Sequence, residues 1–349
     1  MKKIKKIILV LILSIVFILC FIPTKNYNCK YPLNIKSVYG DIEAYHPKVL
    51  NFEEKWNGYK YWMSYTPYPK GDDSKENPHI AASNDLINWE TPKGLKNPLD
   101  ERVNDGIAEQ YNSDSHIIYN NNLDRIECYW RLVDDVNNKA IIYRSYTYDG
   151  INFSEKEIAL ISNNRQEHDY VSPSIIYEDN KYKMWYIDKN NTLKYEESDD
   201  GLNWSDAIVI DFKYEDSKQK TWHMDVIVTE KGYELVSVAY DKWVNHNNMS
   251  LYYSCSDNGI DNWSTAIEIL KPAKGTSYWD NRGIYRSSII YEDGIYVLYY
   301  SGTNQQLHHG IGIMYGSDIK KLNKVNKNFS NKKDVQKIIE EINKERNNK

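Results

Sequence analysis

The sequence predicts an all-β chain folded as a five-bladed β-propeller, with a short C-terminal α-helix and an N-terminal hydrophobic segment. Three observations predict it. A polar turn closed by an aromatic or large apolar residue recurs five times: "SNDLINW" (83–89), "TYDGINF" (147–153), "SDDGLNW" (198–204), "SDNGIDNW" (256–263) and the degenerate "SDIKKL" (317–322). Three strand-like runs precede each turn, and five units of about sixty residues, none able to bury both faces alone, stack as blades. The 31 tyrosines and 10 tryptophans, against 16 glycines and 10 prolines, favour half-buried pleated surfaces.

Taken in order, the chain opens with Lys2, Lys3, Lys5 and Lys6 and an apolar run over 7–22, the pattern of an export signal. The run is short for a spanning helix and no small-x-small cleavage site follows it, so a signal peptide and a membrane anchor both stay open. Residues 1–30 are therefore assigned to a signal or anchor, 31–322 to the propeller and 323–349 to a basic tail. The chain from 31 onward is expected outside the cytoplasm, extracellular or at the cell surface. The stretch "YPLNIKSVYG" (31–40) is a candidate outer strand for the last blade, and Val335, Ile338, Ile339 and Ile342 carry helical spacing behind Asp334.

Beyond residue 30 there are 38 basic and 49 acidic side chains, a net of −11. Such an acidic body disfavours nucleic acid and other polyanions. A neutral oligo- or polysaccharide is the expected partner, with the membrane reached only through the N-terminal segment. Cys20, Cys29, Cys128 and Cys255 have no metal-type spacing, and Cys128 and Cys255 read as buried packing residues. The polar turns resemble the Asp box of sialidases, which implies that Asp85, Asp149 and Asp200 brace outer-rim turns.

The first strand of each blade lines the central channel. Alignment of the repeats puts His46, Asp114, Ser172, His223 and Arg286 at one level, with Lys48, His116, Ser174, Asp225 and Ser288 two residues on. "TWHMDVIV" (221–228) is thus an inner strand whose His223 and Asp225 share a face toward the channel. His46, Asp114, His116, His223, Asp225 and Arg286 are expected to line one polar pocket at its mouth.

The runs "HPKVL", "SPSIIYEDNKYKMWY" and the S-x-D-x-x-x-W turns resemble the five-bladed propeller glycoside hydrolases of families 43, 32 and 68, the group of arabinanases, xylosidases, invertases and levansucrases. The resemblance covers roughly 40–322 and implies a glycan substrate. It also implies an Asp at the head of the first blade, an Asp before the Pro of the third and a Glu on the fourth. Here those positions hold His46, Ser172 and His223.

Glycoside hydrolysis requires two carboxyl groups. If the chain is a hydrolase, its acid and base must come from Asp114, Asp225, Glu167, Asp169 or Glu43; Glu109 lies in another loop entering the blades. His46, His116, His223, Arg286, Glu76 and Asn77 are candidate substrate-binding residues. Of the aromatics able to reach the mouth (Tyr65, Tyr68, Trp130, Trp185, Trp222, Trp243, Trp279), Trp222 and Trp279 are the sugar-platform candidates. Three functions remain open: an exported glycoside hydrolase or transglycosylase without cofactor, a non-catalytic carbohydrate-binding propeller, and a site centred on a divalent metal held by His46, His116, His223, Asp114 and Asp225.

Overall fold

The computed structural model describes residues 27–102, 110–242, 248–275 and 277–347. The polar turns end hairpin strands that pair only with their sequence neighbours, and the result is five antiparallel sheets. Blade one holds β1 (Ala44–Trp56), β2 (Tyr59–Pro67) and β3 (His79–Ser83). Blade two holds β4 (Gln110–Asn120), β5 (Arg125–Asp134), β6 (Lys139–Thr147) and β7 (Glu157–Ser162). Blade three holds β8 (Val171–Glu178), β9 (Lys181–Ile187), β10 (Leu193–Ser198) and β11 (Ile208–Val209). Blade four holds β12 (Gln219–Thr229), β13 (Gly232–Asp241), β14 (Ser250–Ser256) and β15 (Ile267–Leu270). Blade five holds β16 (Gly283–Glu292), β17 (Ile295–Thr303) and β18 (His309–Gly316). The inner strands β1, β4, β8, β12 and β16 touch in that order, and β16 meets β1 to close the ring.

Each turn is braced as its composition predicts. The carboxylate of Asp149 accepts the backbone N–H groups of Ile151 and Asn152, and Asp85, Asp200 and Asn258 do the same in their blades. These side chains hold loops on the rim, away from the channel. The seams between blades form the core: Trp62 and Trp130 between blades one and two, Tyr129 and Tyr186 between two and three, Trp185 and Leu235 between three and four, Val236 and Tyr296 between four and five. The seam joining blade five to blade one is the largest, because the chain termini add to it.

The closing seam departs from expectation. Residues 31–40 form no strand, and blade five keeps three. A single backbone bond runs from Leu33 to Ile311 of β18, while Cys29 bridges Val325 in parallel. Packing also starts ahead of residue 31: Tyr27, Asn28 and Cys29 are buried, and Asn28 donates to Asp280 and to the Lys271 carbonyl. Helix α1 (Lys332–Asn347) covers the same seam with Val335, Ile338 and Ile342, as its periodicity predicts. Cys128 is buried; Cys255 is only half-buried, beside Ser264 on the outer hairpin of blade four. No helix among the described residues is long and apolar enough to cross a membrane, and the apolar run 7–22 lies outside them.

Candidate active site

Every inner strand carries an irregularity in register at the same height, between Tyr45 and Lys48, Ser113 and His116, Val171 and Ser174, Thr221 and His223, and Ile284 and Ser287. A bulge re-aims the residues it contains. In three blades the bulge holds a non-glycine residue in the left-handed region: His46 (φ 50°), Asp114 (φ 52°) and Ser172 (φ 52°). Each such residue costs about 1–2 kcal/mol, and backbone strain of this kind gathers where side chains must be aimed.

The bulge splits the ten aligned positions into two layers. The upper one lines a pocket of about 110 Å³ at the mouth, walled by His46, Asp114 and His223 with Glu76, Arg131 and the preceding residues Ser113, Val171, Trp222 and Tyr285. Tyr68, Asp73 and Tyr111 complete its rim.

The lower layer is a sealed plug. Lys48 Nζ lies 2.6 Å from Asp225 Oδ1, and Asp225 Oδ2 accepts from Ser288 Oγ and the Ile289 N–H. His116 Nδ1 accepts from Arg286 Nη2 at 3.1 Å, and its Nε2–H donates to the Ile175 carbonyl at 2.8 Å. Asp225 and His116 thus spend their polar atoms below the pocket, while Arg286 spans the two layers, with Nη2 on His116 and the Pro173 carbonyl and Nη1 3.5 Å from Asp114 Oδ1. None of the three is among the pocket's lining residues, which corrects the expectation that all six aligned residues line it.

Three ligand-type residues converge in the upper layer. One atom from each of His46, Asp114 and His223 lies within 4.8 Å of the others, all three side chains being buried. His46 Nδ1 is 2.8 Å from both Glu76 Oε1 and Thr66 Oγ1, which leaves Nε2 without a hydrogen bond. Neither nitrogen of His223 makes a hydrogen bond; its Nδ1 is 3.5 Å from Asp114 Oδ1. Buried polar atoms normally find partners, so such orphaned nitrogens call for an explanation. Burial holds both rings neutral, pushing His46 down to about 3 and His223 well below the usual histidine range. Neutral imidazole is the ligating form.

Burial opposes ionisation of Asp114, yet the Arg286 and Arg131 guanidiniums around it hold its carboxyl below the usual range. Its Oδ2 accepts the Ser172 N–H at 3.1 Å. Glu76 goes the other way: burial, reinforced by Asp114 and Asp73, raises its carboxyl well above the ordinary value. Two imidazoles, an ionised carboxylate and a neighbouring carboxyl of high pKa fit a divalent transition ion with a proton-transfer group beside it.

The other candidates stand elsewhere. Asp169 is saturated by Arg131, Arg165 and the Tyr170 N–H, and serves to hold Arg131 in the pocket wall. Glu43 is engaged by His308 Nδ1 and the N–H groups of His309 and Lys70 on the rim. Glu167 is exposed on a turn. Asn77 bonds Tyr39 and Asn112 behind Glu76. Trp279 stacks on Tyr300 and donates to the Cys29 carbonyl, in the closing seam and not at the mouth. Trp222 does reach the pocket, where its Nε1–H fixes the Tyr285 hydroxyl at 2.7 Å. Glu109 and Trp243 lie outside the described residues. The sequence reading passed over Tyr285, Val171 and Ser113, and also Arg131, Tyr111 and Asp73, for which the repeat alignment carries no signal. The first three did have one, the position directly before each aligned residue.

No family model matches the chain. A curated relative, an A type blood N-acetyl-α-D-galactosamine deacetylase from Flavonifractor plautii, is 28% identical over 310 residues, covering 74% of this chain. The match spans 39% of that relative's length. Among solved structures, an N-acetylgalactosamine deacetylase from F. plautii in complex with blood group B trisaccharide superposes with a TM-score of 0.73 at 24% identity, over 82% of this chain and 94% of that one. An exo-1,5-α-L-arabinanase from a bovine ruminal metagenomic library gives 0.58 at 13% identity, over 79% and 94%. A thermostable family-43 glycoside hydrolase gives 0.57 at 16%, over 84% and 95%. The fold is the five-bladed propeller that these structures share.

Proposed function

We propose that the pocket holds a divalent metal ion on His46, Asp114 and His223 and hydrolyses the N-acetyl group of an acetylated amino sugar in a glycan. One observation carries the reading: three buried ligand-type side chains converge, and His46 Nε2 and both nitrogens of His223 make no hydrogen bond. The likeness to N-acetylgalactosamine deacetylases supports an amide as the bond attacked. A bound ion would supply Lewis-acid polarisation of the acyl carbonyl and a lowered pKa for water.

The chain's own residues do the rest. Glu76 takes a proton from the attacking water and delivers it to the leaving nitrogen, so that the C–N bond breaks and acetate and a free amine result. The contact between His46 Nδ1 and Glu76 keeps that ring turned with Nε2 inward. Trp222 and Tyr68 offer ring faces to the sugar at the mouth. Export through the lysine-flanked apolar start is part of the same proposal, supported by the residue pattern of 1–22.

Glycosidic hydrolysis is the second reading, favoured by the presence of two carboxyl groups, Glu76 and Asp114, in one pocket. Incubation with oligosaccharides ending in N-acetylgalactosamine, with and without chelator, separates the readings. Chelator-sensitive release of acetate with the sugar chain intact supports the deacetylase. Chelator-insensitive release of a sugar overturns it, and saturable binding with no product leaves a carbohydrate-binding propeller.

A further inference from the structure

The pocket is smaller than the substrate it serves. A cavity of about 150 Å³ just holds benzene, and this one measures about 110 Å³. An acetyl group has roughly half the heavy atoms of benzene and a pyranose roughly twice as many, so an acetyl fits beside an ion and a water, whereas a sugar ring does not. The walls are not free to yield. Arg131 is held by two hydrogen bonds from one guanidinium nitrogen to Asp169, at 2.8 and 2.7 Å. Tyr285 is fixed by Trp222, and the Tyr68 hydroxyl by Asp73 at 2.6 Å.

The lining is polar or aromatic everywhere but one place. Among the described residues of the pocket, Val171 is the single aliphatic side chain. It is buried at the start of β8, directly before Ser172, whose N–H bonds Asp114. An acyl chain directed at the Asp114 cluster has this one apolar surface for its terminal carbon.

We propose that only the acyl head enters the pocket, its methyl against Val171, while the sugar stays outside on Trp222 and Tyr68. The site then selects by acyl length and not by sugar configuration. This rests on the deacetylase reading and narrows its substrate class to short N-acyl groups on amino sugars of either C4 configuration.

The test is a set of N-formyl, N-acetyl, N-propionyl and N-butyryl glycosides of galactosamine and glucosamine, compared by kcat/KM in the metal-loaded wild type. One methylene too many in a rigid pocket costs about 10–200-fold. That drop is expected from acetyl to propionyl, with galacto and gluco sugars within about tenfold of each other. Val171→Ala, checked for folding by its thermal midpoint, should raise the propionyl-to-acetyl ratio about tenfold or more. Calorimetry gives a second readout free of turnover, in which acetate binds and butyrate binds at least about tenfold more weakly. Equal cleavage of acetyl and butyryl, sugar discrimination larger than acyl discrimination, or an unchanged ratio in folded Val171→Ala would overturn the proposal. If no N-acyl sugar is cleaved, it is the deacetylase reading that falls, and the inference with it.

Discussion

His116 on β4 and His223 on β12 occupy neighbouring levels of the channel, both buried, and their ring nitrogens have opposite fates. Those of His116 are consumed by Arg286 and Ile175, whereas those of His223 are left unbonded against Asp114. His116→Ala strips partners from buried groups and should lower stability by about 1–3 kcal/mol. His223→Ala removes no hydrogen bond, so its metal-free thermal midpoint should stay near wild type. A divalent ion at about 100 times its Kd stabilises by about 2.7 kcal/mol; wild type should show that rise in a thermal melt and His223→Ala should lack it. Glu76→Gln, by contrast, should keep the metal-dependent rise yet lose about 10²- to 10⁴-fold in turnover, the usual share of general acid–base catalysis. Loss of metal binding in that variant would instead place Glu76 among the ligands.

At the scale of the element, the bulged inner strand is the device on which the site depends. Directly below the bulge, Lys48 and Asp225 close the channel as a buried ion pair. Breaking such a pair strands a charge, at about 3–5 kcal/mol. Asp225→Ala is therefore expected to lower the unfolding free energy by that amount, where a pocket residue would have lost function alone; chemical denaturation at neutral pH measures it. The hairpin turns are equally exacting. Gly150 sits at φ 71°, and a Cβ there would come within 2.1 Å of the Trp62 ring. Gly150→Ala combines left-handed strain with overpacking and should cost about 2–5 kcal/mol by the same measurement, without altering the pocket.

The whole molecule is a closed ring whose last joint is made by its ends. Asn28 and Tyr300 both donate to Asp280, and Cys29 accepts from Trp279 beside it. Burial raises the Asp280 carboxyl to about 6, hydrogen bonds from Tyr300 and Asn28 offsetting only part of it. A carboxyl raised above its unfolded value of about 3.9 favours the fold in its protonated form. Its contribution is fully present below about pH 4 and is lost as pH rises through about 6. Between those limits wild type should lose up to about 3 kcal/mol relative to Asp280→Asn. Parallel pH profiles of the two proteins would refute this if they kept a constant separation.

Periodicity by itself determined the five blades, the braced turns, the tail helix and the inner strands, because strand alternation and a sixty-residue repeat are local properties written in consecutive residues. It also brought His46, Asp114 and His223 to one level, and Trp222 to the mouth. What it did not determine was which aligned residue faces the pocket and which the plug. A bulge shifts the strand by one residue, and nothing in "DSHIIYN" or "HMDVIVTE" announces it. Nor did it determine the fate of Asp169, Glu43 or Trp279, whose partners Arg131, His309 and Tyr300 lie 38, 266 and 21 residues away. Those pairings exist only once the ring has closed, since burial, and not residue type, decides whether a charged or aromatic side chain is spent on the fold or left free for chemistry.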